Sequence, residues 1–193
     1  MNRPRIISVS GIDGSGKSTQ LQNLKEYYEL QNKKVEILKV KYTPYHKYKC
    51  DSLNTDLLRS IMALEFVKYY NEKFQELCDY DYLLCDRSKA CLLAYGLTYG
   101  LQKVENIYKI LELTPNPDIL FYFDMDPTTS LERIKNGRGK VEEDENLENL
   151  KQDKINYTKI FSKYNFNPVF IDANNSKDNV LKKLIYSIDK KFN

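Results

Sequence analysis

Gly11-Ile12-Asp13-Gly14-Ser15-Gly16-Lys17-Ser18-Thr19 fits the pattern G-x-x-x-x-G-K-[ST], and it stands between a strand-like run and a helical one. Upstream, Arg5-Ile6-Ile7-Ser8-Val9-Ser10 is a short β-branched run. Downstream, Lys17 to Asn32 carries Leu21, Leu24 and Tyr28 at the spacing of one helical face. Gly11, Gly14 and Gly16 let the chain wrap closely around an anion, with backbone N–H groups and a helix N-terminus aimed at it. On this pattern Lys17 neutralises the β and γ phosphates of a nucleotide and the Ser18 hydroxyl ligates magnesium. A glycine-rich turn that holds Lys and Ser by chance is the bland alternative, and the flanking strand and helix weigh against it. Phosphate transfer or phosphate sensing is the default class of function.

Composition sets the outer bounds. A chain of 193 residues is enough for one globular domain, which buries about 70 % of its unfolded surface. With 41 % hydrophobic and 30 % charged residues it is an ordinary folded protein rather than a disordered one. A net charge of +3 makes no case for duplex nucleic acid. The N-terminus runs straight into the first strand, and no apolar run approaches ~18 residues, so the expected location is cytoplasmic, away from any membrane. Cys50, Cys78, Cys85 and Cys91 form no C-x-x-C pair and have only His46 to help them, which argues against a zinc site. Cys85 sits in an apolar strand pattern and reads as a small buried hydrophobe.

Strand-like runs recur at Arg5 to Ser10, Val35 to Val40, Tyr82 to Cys85, Ile119 to Phe123 and Val169 to Ile171, with helical patterns between them. That alternation predicts an α/β fold with a five-stranded parallel sheet flanked by helices. Helices are predicted over Lys17 to Asn32, Thr55 to Leu77, Ser88 to Tyr99, Lys103 to Leu113, Thr128 to Lys135, Asn146 to Lys163 and Lys177 to Lys190. Lys135 to Lys154 is poor in apolar residues and contains Gly137 and Gly139, the composition of a solvated helix end or a mobile lid. In open sheets of this class ligands lie beyond the carboxyl ends of the strands, so the residues just after each strand are the suspects. Asp86-Arg87 follows the third strand: the carboxylate can reach a magnesium shell, and the guanidinium fork suits a phosphate. A local Asp-Arg surface pair is the alternative.

With these residues the chain resembles the thymidylate kinase family of nucleoside monophosphate kinases over nearly its whole length. Gly11 to Ser18 matches the family's phosphate loop, with Asp13 at its acidic position. Asp86-Arg87, followed by Cys91 and Ala94-Tyr95-Gly96, resembles its Asp-Arg segment. Pro117-Asp118-Ile119 through Asp126-Pro127, then Leu131-Glu132-Arg133-Ile134, resembles its fourth strand and following helix, and Ile171-Asp172-Ala173 with Ser176 its final turn. The resemblance implies a P-loop NTPase fold spanning 1–193 as one domain, with a lid at 133–145. It implies ATP and Mg2+ as cofactors, a small-molecule nucleotide acceptor, and a homodimer. It also implies roles for single residues. Gly11, Asp13, Gly14, Ser15, Gly16, Lys17, Ser18 and Thr19 would hold ATP, with Asp172 and Ala173 beside adenine; Ser18 and Asp86 would hold the metal. Asp13 would also face the acceptor, Arg87 would grip the acceptor phosphate, and Tyr95 would pack on its sugar. Ser15 stands where some members carry an arginine, so the lid must supply the extra cation: Arg133, Lys135, Arg138 and Lys140 are candidates, and Arg138, between two glycines, is favoured.

The departures fall on the acceptor side. Lys39 or Lys41 stands where the family has an arginine after the second strand, and the base-contacting positions fall on Met62, Phe66 and Leu92, none of which can hydrogen-bond a thymine. Thymidylate is the nominal acceptor, and a different or modified pyrimidine nucleotide is the runner-up. Lys39 to Lys49 interleaves lysines with Tyr42, Tyr45 and Tyr48, which leaves a polynucleotide 5'-kinase as a weaker competitor. A deoxynucleoside kinase would need a general base after the second strand; Glu36 lies inside that strand and lysines follow it. A non-catalytic nucleotide-binding module is disfavoured by the intact set Lys17, Ser18, Asp86 and Arg87.

Overall fold

The computed structural model describes residues 3–42, 55–138, 141 and 145–192, and of Arg138 the backbone alone. In chain order these residues form β1 (Arg5–Ser10), α1 (Lys17–Glu29), β2 (Val35–Leu38), α2 (Thr55–Glu76), β3 (Tyr82–Asp86), α3 (Lys89–Thr98), α4 (Val104–Leu111), β4 (Ile119–Asp124), α5 (Pro127–Arg138), α6 (Leu147–Lys163), β5 (Val169–Asp172) and α7 (Lys177–Phe192). The sheet has five strands in the order β2-β3-β1-β4-β5, and every pair is parallel. This is the expected α/β architecture.

Burial explains which strands lie where. β1, β3 and β4 are buried almost throughout, because parallel strands joined by helical crossovers are covered on both faces. β5 is one edge, opposite β2, and three of its four residues are exposed. Helices α1 and α7 pack on each other, while α2, α3, α4 and α6 form a second connected group, so the sheet is flanked by helices. Tyr28 of α1 stacks on Tyr82 of β3 at 4.5 Å, and Tyr157 and Phe161 of α6 pack around Tyr122 of β4. Each fully buried aliphatic or aromatic side chain of this core contributes roughly 1.5–3 kcal/mol relative to exposure.

The strand order creates the site. β1 lies between β3 and β4, and the chain leaves it first toward β2 and β3 and later toward β4. A crevice therefore opens beyond the carboxyl end of β1, at the point where the winding reverses. Val9 is level with Asp86 and Ser10 with Tyr122, so the residues that follow β1, β3 and β4 emerge together.

Two boundaries differ from the sequence expectation in ways that matter. β2 ends at Leu38 rather than Val40, which leaves Lys39 beyond the sheet. α5 continues through Asn136, Gly137 and Arg138 rather than ending at Lys135, so the first half of the expected lid is helix. Its glycine does not break the helix, because the i→i−4 ladder needs no side chain and one Gly costs only about 1 kcal/mol. Gly139, Lys140, Glu142, the basic-aromatic stretch 43–49, His46 and Cys50 lie outside the described residues.

Replacing Phe121, fully buried at the centre of β4, by Ala should destabilise the fold by about 3–5 kcal/mol in urea unfolding. A loss below about 1 kcal/mol would mean that the sheet core can collapse around the void.

Candidate active site

The loop from Gly11 to Gly16 carries β1 into α1. At Gly14 the backbone passes so close to α5 that a Cβ would stand 2.5 Å from the Ser130 carbonyl oxygen, and φ is 78°. Gly16, the N-cap of α1, adopts φ 89° and offers no side-chain cap. Only glycine takes both conformations cheaply, and the uncapped first turn presents its N–H groups to an anion. Inside the loop the Lys17 ammonium donates to the carbonyls of Gly11 (2.8 Å) and Ile12 (2.7 Å) and to Ser15 Oγ (3.3 Å). Burial lowers the Lys17 pKa, opposed by the Asp13 carboxylate 3.9 Å away. Ser15 is buried, and Thr19, next to Ser18, is exposed along the cleft wall.

Beside the loop, Asp86 Oδ2 accepts the Ser18 hydroxyl at 2.8 Å and lies 3.1 Å from the Lys39 ammonium. A hydroxyl and a carboxylate in contact are a hard oxygen pair that suits magnesium, an ion that keeps several waters and takes further oxygens from phosphates. Among the described residues there is no cluster of three or more His, Cys, Asp or Glu that could cage a metal by itself.

Arg87 opens the other side of the loop. Its φ is 90°, an uncommon conformation for a residue with a side chain, and it places the guanidinium 2.8 Å from Asp13 Oδ1 and 5.0 Å from the centre of the Tyr95 ring. Burial works against the Arg87 charge, but Tyr95 and Asp13 outweigh it and hold the pKa well above the usual value. The Tyr95 hydroxyl reaches the Gly11 carbonyl at 3.5 Å, so ring, guanidinium and loop form one unit. Burial raises the Tyr95 pKa and keeps its phenol neutral.

A single cleft of about 1070 Å3 joins these parts. One end holds Lys39, Asp86, Arg87 and Asp13; the middle is the phosphate loop; the other end lies between α5 and the turn 173–177. At that far end Arg133 donates to the Ala173 carbonyl at 3.1 Å, and Gln20 to the Lys177 carbonyl at 2.9 Å. Asp172 is exposed just outside the cleft, and bonds from Asn174 and Asn175 hold its carboxylate below the usual range.

The sequence candidates are therefore only partly assembled. Asp13, Gly14 to Thr19, Lys39, Asp86, Arg87, Arg133 and Ala173 line one cleft. Tyr95 and Gly11 lie directly behind it. Lys41 is exposed and outside the cleft wall, and Arg138 ends α5. Phe66 is buried in the core, its ring tilted against Tyr70 with centroids 4.4 Å apart, and it and the buried Leu92 are absent from the cleft. Met62 is half-buried beside Arg59.

Sequence pattern did not single out Arg59 or Asp153. The Arg59 guanidinium rests 5.2 Å from the Tyr99 ring, and its Nε is buried without a hydrogen-bond partner among the described residues. Burial lowers the Arg59 pKa. Asp153 of α6 accepts the Thr98 hydroxyl of α3, and Asn156 bonds the same hydroxyl at 3.1 Å. These polar residues sit at scattered positions in two long helices, where a lone Arg or Asp reads as solvated surface.

A phosphate loop between the first strand and helix of a parallel sheet, with a carboxylate and a guanidinium at the end of the adjacent strand, defines the class of P-loop kinases. The model of the family described as "Thymidylate kinase" matches residues 9–184. The chain belongs to the thymidylate kinase family, and it is a nucleotide kinase. It is 26 % identical over 191 residues to "Probable thymidylate kinase 1" of Saccharolobus solfataricus, covering 96 % of this chain and 97 % of that one. It is 24 % identical over 203 residues to "Thymidylate kinase" of Bacillus cereus, covering 97 % and 98 %. It is 28 % identical over 152 residues to "Thymidylate kinase" of Rickettsia canadensis, covering 69 % and 71 %.

Burial pushes the Asp153 carboxyl up to about 6, against the Thr98 bond that lowers it. The folded state then binds this proton more tightly than the unfolded chain, whose carboxyl titrates near 4, so the contribution to stability is present below pH ~4 and is lost as pH rises through about 6. Asp153→Asn should therefore gain in unfolding midpoint relative to the wild type between those limits. A midpoint difference that stays flat with pH would contradict the assignment.

Proposed function

We propose that the chain transfers the γ-phosphoryl group of ATP, with magnesium, to thymidylate, yielding dTDP and ADP. The observation that carries this reading is Arg87: a half-buried guanidinium, held in a strained backbone conformation by Asp13 and the Tyr95 ring, faces the same cleft as the phosphate loop. Such a fork has no use for a hydroxyl acceptor and suits an acceptor that brings its own phosphate. The lysine-rich end of β2 favours an anion as well, and Glu36, the residue nearest to a general base, is engaged 3.3 Å from Lys25 inside the strand. The names of the relatives support thymidylate as the acceptor.

The roles follow from position. Lys17 neutralises the β and γ phosphates against the α1 N-terminus. Ser18 and Asp86 would hold the metal, which would supply positive charge against the nucleotide phosphates. Arg87 orients the acceptor phosphate, and Tyr95 lies against the acceptor sugar, where a ring crowds a 2'-hydroxyl. Arg59 supplies a buried N–H donor beside Met62, and thymine offers carbonyl oxygens to such a donor. Arg133, tied to the turn after β5, positions the nucleotide base against Ala173, while Asp172 orders that turn. Arg138, at the end of α5, acts on the transferred group. Positioning and charge neutralisation then account for most of the rate. The same reading takes 1–193 as one kinase domain that works as a cytoplasmic homodimer, on the strength of the family resemblance. Among the described residues no helix is long and apolar enough to cross a membrane.

An ATP-consumption screen against each common nucleoside and deoxynucleoside monophosphate, with thymidine and a 5'-hydroxyl oligonucleotide included, tests the proposal. Preference for thymidylate supports it; activity confined to another acceptor replaces it. Lys17→Ala should cut turnover by about a thousandfold. Arg87→Ala should raise the KM for the acceptor at least about tenfold while leaving that for ATP nearly unchanged, and equal effects on both would remove Arg87 from the acceptor site. Arg138→Ala should lower turnover with ATP binding largely kept, and unchanged turnover would exclude it from the chemistry.

A further inference from the structure

Two side chains compete for one oxygen beside the phosphate loop. Asp86 Oδ2 accepts the Ser18 hydroxyl at 2.8 Å, and the Lys39 ammonium stands 3.1 Å from the same atom. The carboxylate is fixed: its side chain is 4 % exposed and it ends a central strand. The ammonium is on a tether. Lys39 is the first residue past β2, its side chain is 62 % exposed, and its backbone N–H is anchored 3.3 Å from the Tyr69 hydroxyl.

Ser18 and Asp86 are also the pair suited to magnesium. A magnesium ion coordinates a carboxylate oxygen at about 2.1 Å. An ammonium at hydrogen-bond distance from that same oxygen would face a dication across it, and the two repel. Lys39 must therefore leave Asp86 when the metal arrives. Its next anionic partner is set by the cleft, because Arg87 adjoins Asp86 in sequence and lines the same end as Lys39.

We infer that Lys39 is a positioning cation that holds Asp86 while the metal is absent and passes to the acceptor phosphate when the metal–nucleotide binds, so that filling one half of the cleft tightens binding in the other. This extends the proposed function and rests on its assignment of the two halves. The coupling is reciprocal, as any linkage between two binding equilibria must be. Lysine suits such an exchange, because a compact charge on a flexible stem changes partners more readily than a planar fork committed to one geometry. An exposed ammonium is a weak competitor, so the metal is delayed rather than blocked.

Two binding measurements on the wild type and K39M test the inference. Manganese(II) binding to ADP-saturated protein is read from the electron paramagnetic resonance signal of the free ion. Thymidylate binding is read by calorimetry with ADP plus Mg2+ and with ADP plus EDTA. K39M should bind manganese about three- to tenfold more tightly than the wild type. In the wild type, Mg2+ with ADP should tighten thymidylate by a similar factor over ADP with EDTA, and K39M should lose that gain. Unchanged manganese affinity in K39M, or a metal-dependent gain that survives the substitution, overturns the inference. The manganese measurement needs no acceptor. A wild-type protein that ignores thymidylate therefore contradicts the acceptor assignment, while the manganese result still decides whether Lys39 competes with the metal.

Discussion

The Lys17 ammonium, taken almost wholly out of water, is held by carbonyls of the loop it belongs to. Desolvation makes that charge costly, and the bonds to Gly11 and Ile12 offset the cost only if the loop curls tightly around it. The rest of the site follows from that curl. It turns the N-terminus of α1 toward the cleft, brings Gly14 against Ser130 of α5, and leaves the Gly11 carbonyl within reach of the Tyr95 and Tyr157 hydroxyls. A nucleotide phosphate entering the loop would replace carbonyl partners of the ammonium with an anion, so the charge is stored close to where it is used.

The end of the cleft beside Asp86 is organised by a second cation, half-buried. Arg87 adopts a backbone conformation that an unconstrained arginine avoids, and three contacts over-determine it: Asp13 at the guanidinium, the Tyr95 ring across its face, and the Tyr70 hydroxyl at its carbonyl, 3.4 Å away. Asp13 belongs to the phosphate loop, so the two halves of the cleft are physically joined through one ion pair. The sheet makes this possible, because β3 and β1 are neighbours in space although more than seventy residues separate Asp13 from Arg87.

How much of this was legible in the sequence depended on whether the signal was local. The phosphate loop, the five strands and the α/β alternation could be read from consecutive residues, because turn chemistry and periodicity are short-range properties. The end of α5 could not: Gly137 and its charged neighbours look like a loop, and the helix continues because nothing stops its ladder. Counting back from Arg87 under the family resemblance puts Met62 and Phe66 at the base-contacting positions, but a helix turns 100° per residue, so an error of a few residues rotates a side chain from the cleft to the core. Phe66 is in the core, and Arg59, two turns earlier on the same side of α2, carries a buried donor without a partner among the described residues.

By itself the sequence determined that this chain winds a parallel sheet around a phosphate-binding loop, with Lys17, Ser18, Asp86 and Arg87 intact, since each of those features is written in adjacent residues. Only the tertiary structure decided which side chains share an atom or a cavity. That Lys39 and Ser18 meet on one oxygen of Asp86, that Arg133 is tied to the turn after β5, and that Asp153 is buried against Thr98 are consequences of strand order and helix rotation. Distances of about 3 Å between residues far apart in the chain are set by packing the whole core, and no local pattern encodes them.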